Sequence, residues 1–188
     1  MTTTTAPTRQ ARLVLTPTAS AAGLLDGAWW PYSRDLATEL PPLVEALRDR
    51  FGRVTRITAH PGPWSVAVRA VPVGGYAVHV GWFADQAPDT MVLLSYSLGR
   101  CDLLVIPPET EPASAARLMA AASAPGNFHT TGTLMSEESA TRRLLREAGT
   151  GEDAWETDGG ASPQPRPHPR PRPVVGARMI YLPRGVRG

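Results

Sequence analysis

The sequence contains no lysine: all 19 of its basic residues are arginine. That absence removes Schiff-base chemistry and the phosphate-cradling lysine of a P-loop. Cysteine occurs once, as Cys101, so neither an internal disulfide nor a multi-cysteine zinc site can form. A reducing compartment, the cytoplasm, is the expected location. No apolar run approaches the ~20 residues of a membrane helix, and Met1-Thr-Thr-Thr-Thr has neither the charged nor the apolar region of a secretory signal. No membrane partner is expected.

Acidic residues are missing from one part of the chain. Residues 159–188 carry six Arg and no acid, residues 131–158 three Arg and seven acids, and residues 1–130 ten of each. The pI near 9.1 is therefore a property of the tail. It gives no ground for nucleic-acid binding by the folded part. Signature motifs are missing too. The four histidines, His60, His79, His129 and His168, lack zinc-ligand spacing. No G-x-S-x-G surrounds a serine and no G-x-G-x-x-G follows a strand. No metal, cofactor or catalytic residue is assigned, and the reading leans away from an enzyme.

With 42% hydrophobic residues the chain can bury a core. Residues 1–11 read as a flexible N-terminus and Arg12–Thr16 as a short strand ended by Pro17. Asp26-Gly27 reads as a turn. Ser33 is the expected cap of a helix with Asp35 in its first turn. Leu36, Leu40, Leu43, Val44, Leu47 and Phe51 fall on one face of that helix, which Pro41-Pro42 should kink or interrupt. Strands follow at 53–59, toward Val73, at 76–83, 91–95 and 102–106, with hairpins at Gly74-Gly75 and around Leu98-Gly99-Arg100. A second helix is expected from about Pro112 to Ala122, burying Ala116, Met119 and Ala120. The expected fold is α+β: a mostly antiparallel sheet of five to six strands with two helices on one face, over residues 12–127. Residues 128–150 read as a linker with a helix capped by Ser136. Residues 151–188 read as a disordered Pro/Arg-rich tail of polyproline II character.

One stretch stands out: Leu25-Asp-Gly-Ala-Trp-Trp-Pro-Tyr-Ser-Arg-Asp-Leu36. With Glu39-Leu40-Pro41, Gly81-Trp82-Phe83, Asp102-Leu-Leu-Val-Ile-Pro-Pro108 and the segment from Ala115 to Ser123, it resembles an actinobacterial family known as domain of unknown function 5994. The resemblance covers about residues 12–127. It implies no established activity, cofactor or partner.

The candidate binding residues are Asp26, Trp29, Trp30, Ser33, Arg34, Asp35 and Trp82. Adjacent residues of an extended segment face opposite ways, so of Trp29 and Trp30 one can enter the core while the other forms a wall for a ligand. Arg34 with the helix start can hold a phosphate or carboxylate. The leading expectation is a non-catalytic module binding a small anionic ligand or a protein through residues 26–36, beside Trp82 and the 84–90 loop. Two alternatives stand beside it: a small enzyme with Asp26, Arg34, Asp35 and His79 around one cleft, and nucleic-acid association through the 159–188 tail.

Overall fold

A computed structural model describes residues 9–96 and 99–158. The 159–188 tail, with its expected disorder and its nucleic-acid alternative, lies outside the described residues. The chain divides into two units, 1–150 and 151–188.

Burial alternates from one residue to the next along the strands. Buried Val78 and Val80 alternate with exposed Ala77 and His79, and buried Met91 and Leu93 with half-buried Val92 and Leu94. Among the described residues the strands are β1 (Leu13–Leu15), β2 (Gly27–Trp29), β3 (Val54–Ala59), β4 (Ala70–Val73), β5 (Tyr76–Trp82), β6 (Thr90–Ser95) and β7 (Gly99–Val105). The helices are α1 (Leu36–Phe51), α2 (Pro112–Ala122) and α3 (Thr131–Asp158). Among the described residues no helix is long and apolar enough to cross a membrane.

The seven strands form one sheet in the order β1-β2-β7-β6-β3-β5-β4. The class is α+β as expected, but the sheet is mixed: β2 runs parallel to β7 and β3 parallel to β5. The strand missed in the sequence is β2. Asp26-Gly27 is not a turn; it enters a three-residue strand, buried throughout, between β1 and β7. Gly27 is needed for close approach, since a Cβ there would stand 2.1 Å from the Val14 carbonyl oxygen. The Gly74-Gly75 hairpin forms as expected, with φ of 52° and 86°.

The two domain helices lie on opposite faces of the sheet, which corrects the expectation of one shared face. Trp29, Leu103 and Val105 enter the core beneath α1. Their neighbours Ala28, Leu104 and Ile106 point the other way, into a second cluster with Ala115, Leu118 and Ala122 of α2. The alternation of β2 and β7, buried on both faces, demands a cover on each side. The buried face of α2 is accordingly Ser114, Ala115, Leu118 and Ala122, while Ala116 and Ala120 are exposed.

Helix α1 continues through Pro41 and Pro42 instead of breaking. Burial of Leu36, Leu40, Leu43, Val44 and Leu47 outweighs the hydrogen bonds that two missing amides would have made. Its N-cap is Asp35, whose carboxylate accepts from the Ala37 amide at 3.1 Å and the Thr38 hydroxyl at 2.7 Å. Ser33 is not the cap: its hydroxyl donates to Glu39 at 2.8 Å. Helix α3 starts five residues before the expected Ser136 cap, with the Thr130 hydroxyl accepting from the Thr133 amide. It reaches eight residues into the 151–188 segment read as disordered. Arg117 of α2 holds Glu138 of α3 through contacts of 3.0 and 2.6 Å.

Candidate functional site

Because β2, β7 and β3 run in the same direction, their carboxyl ends meet at one edge of the sheet. Crevices outside the carboxyl ends of such strands are recurrent ligand sites. A cleft of ≈ 300 Å³ occupies that edge here. Pro31, Ser33 and Arg34 reach it from the segment after β2, and His60, Gly62, Pro63 and Trp64 from the segment after β3. Pro88 and Asp89 precede β6, while Val105, Pro107 and Pro108 end β7. Five prolines with fixed φ make these walls stiff.

The floor is aromatic. Trp64 stacks on Trp29 with ring centroids 5.7 Å apart and planes at 22°. The 25–36 stretch therefore supports the cleft from beneath, since Trp29 is only 1% exposed. Trp30 faces the second cluster, as the alternation required. Its indole donates to the Pro107 carbonyl at 3.2 Å. Its ring is covered by the Arg12 guanidinium, 3.4 Å from the centroid. Neither motif tryptophan lines the cleft; Trp64 does, with 9% of its surface exposed.

Arg34 clasps the loops around the cleft. Its guanidinium donates to the Pro63 carbonyl at 2.7 Å and pairs with Glu109. Its backbone carbonyl accepts from the Ser65 amide at 2.9 Å. Glu109 sits below the usual carboxylate range, through its own backbone amide first and Arg34 after it. The pair is surface-exposed, so its role is positional more than energetic.

The remaining expected site residues do not gather here. Asp26 lies at the amino end of β2, where its carboxylate accepts from the Asp102 amide at 2.8 Å. Trp82 packs on the core and donates its indole N–H to the Val68 carbonyl at 2.7 Å. His79 is exposed on β5, opposite the buried Val78 and Val80. Of Asp26, Arg34, Asp35 and His79, only Arg34 lines the cleft. Among the described residues no group of three or more His, Cys, Asp or Glu could hold a metal.

Sequence reading missed His60 and Trp64, which no local spacing connects to the motif, while Asp89 falls in the 84–90 loop expected beside the site. The His60 Nδ1 accepts from the Gly62 amide at 2.9 Å, leaving the neutral ring's proton on Nε2. Among the described residues Asp89 has only its backbone engaged, its carbonyl accepting from the Val105 amide at 2.8 Å. Burial alone pushes its carboxyl above the usual range, with no cation or hydrogen bond to compensate. A raised folded-state value means that stability is lost as pH rises from about 3.9, the unfolded reference, through the folded value. Asp89→Asn is therefore expected to melt higher than the parent at pH 7 and to lose that advantage near pH 3.5. Thermal melts at both pH values check this; an advantage equal at both would mean that charge is not its source.

A family model described as a family of unknown function (DUF5994) matches residues 12–122, from Arg12 to the end of α2. No curated protein and no solved structure matches the chain. The matched span contains all seven strands, α1, α2 and every residue lining the cleft, and exceeds half of the 188 residues; the chain belongs to the family of unknown function DUF5994.

Proposed function

We propose that this domain is a non-catalytic binding module whose small-molecule ligand sits in the cleft at the carboxyl ends of β2, β3 and β7. The observation that carries the reading is the convergence of four separate loops, stiffened by proline, around a cleft that Trp64, stacked on Trp29, helps to line. Such a site is pre-formed, so little ordering entropy opposes binding. The enzyme alternative gains no support, because Asp26 and His79 stand apart from the cleft. The expected binding stretch, residues 26–36, keeps a share: Arg34 and Ser33 line the cleft, while Trp29 and Asp35 hold its base and the following helix in place.

The test uses a neutral aromatic probe, 2-phenylethanol, followed by proton–nitrogen correlation spectra. Saturable shifts are expected at the Trp64 indole and at the amides of His60, Gly62, Trp64, Asp89, Thr90, Val105 and Ile106, with a dissociation constant on the order of 1 mM for so small a molecule. Shifts scattered over the surface, or confined to α2 and α3, would overturn the reading.

A further inference from the structure

We propose that the ligand of this cleft carries a protonated nitrogen, an ammonium or amidinium group on an apolar body, recognised by the Asp89 carboxylate. The proposal rests on the cleft being a small-molecule site and adds the chemistry of its occupant. It follows from asking which polar groups around the cleft remain uncommitted.

The positive groups are already engaged. Arg34 is shared between Glu109 and the Pro63 carbonyl. The nearby N-terminus of α1 is answered from within the chain, where the Ala37 amide meets the Asp35 carboxylate. The Ser33 hydroxyl is given to Glu39, and the His60 Nδ1 accepts from Gly62. Among the charged groups lining the cleft, this leaves Asp89, whose carboxylate has no hydrogen-bond or ion-pair partner among the described residues. An anionic ligand would bring like charge to a partly desolvated carboxylate, with no free cation to offset it. A cationic ligand supplies what Asp89 lacks. The exposed part of Trp64, the prolines and Val105 would receive its apolar part. The raised carboxyl of Asp89 agrees with this: a residue that destabilises the empty fold is one that a bound counter-charge relieves.

Three probes of one shape separate the possibilities: phenethylamine, 2-phenylethanol and phenylacetate, titrated at pH 7 with the Trp64 indole signal as readout. Phenethylamine is expected to bind roughly tenfold more tightly than the alcohol, the usual gain for a charge-assisted hydrogen bond, and phenylacetate most weakly. In Asp89→Asn the advantage of the amine over the alcohol should fall below about twofold. The variant is expected to be at least as stable as the parent at this pH, so loss of fold does not mimic the result. If amine and alcohol bind equally, or if phenylacetate binds best, the charge proposal fails while the cleft reading stands. If none of the three shifts the indole at about 10 mM, well above the affinity expected of probes this small, both are overturned.

Discussion

Trp29→Ala is expected to remove about 3–5 kcal/mol of stability, seen as a lower urea midpoint at unchanged slope. The side chain is 1% exposed and among the largest fully buried ones. It sits on a strand only three residues long, so β2 depends on it for most of its anchorage in the core beneath α1. The stacked face of Trp64 would lose its partner at the same time. The loss is comparable to the whole stability of many domains, so Trp29→Phe is the informative companion. It keeps a ring in the stack and is expected to recover more than half the difference, with the Trp64 indole signal near its original position. Trp30→Ala should cost about 1–2 kcal/mol, because it gives up a half-buried ring, its contact with Arg12 and one hydrogen bond. Equal losses for the two tryptophans would contradict the division of labour described here.

Gly27→Ala is expected to destabilise by about 3 kcal/mol even though it adds a single methyl group. The added carbon would lie 2.1 Å from the Val14 carbonyl oxygen and 2.9 Å from the Leu15 Cα. Both are backbone atoms, so no rotamer change can relieve the clash and β1 must move away. Strand β1 pairs only with β2. Its displacement would also release Arg12 from the Trp30 and Pro31 carbonyls, 2.9 and 2.5 Å away. Hydrogen exchange gives the specific signature. The Thr16 amide, bonded to the Asp26 carbonyl, and the Trp30 amide, bonded to the Arg12 carbonyl, should lose protection. Amides between β6 and β7 should keep theirs. Uniform loss across the sheet would mean that the substitution acts globally rather than at the β1–β2 seam.

What could be read from the residues was what local pattern controls. The apolar stripe of α1, the alternation of β5 and the Gly74-Gly75 hairpin are each encoded within a few residues of themselves. The family resemblance was legible for the same reason, as its motifs are contiguous. Strand β2 was not, because three residues are too few to show a period and Asp-Gly carries a turn signal. The parallel pairings were hidden because neither joins strands linked by a single crossover helix: α1 and four other strands lie between β2 and β7, and β4 lies between β3 and β5. The cleft was hidden for a related reason. His60, Trp64, Asp89 and Pro107 belong to three loops that only the sheet order brings together. The prolines at the strand ends were visible, but as breakers of structure rather than as walls.

The pairing of β2 with β7 also has a consequence in time. Asp26 and Asp102, which begin the contact, are 76 residues apart. At about 5–20 residues per second, synthesis takes on the order of 4–15 s to cover that interval. Throughout it, the β1–β2 segment has no neighbour on its inner side, and two adjacent tryptophans wait on the nascent chain for the strand that will enclose one of them. The seam between β2 and β7 is thus among the last parts of the sheet that can close, and the pace of translation between these two aspartates sets how long the tryptophan pair is exposed to other chains and to chaperones.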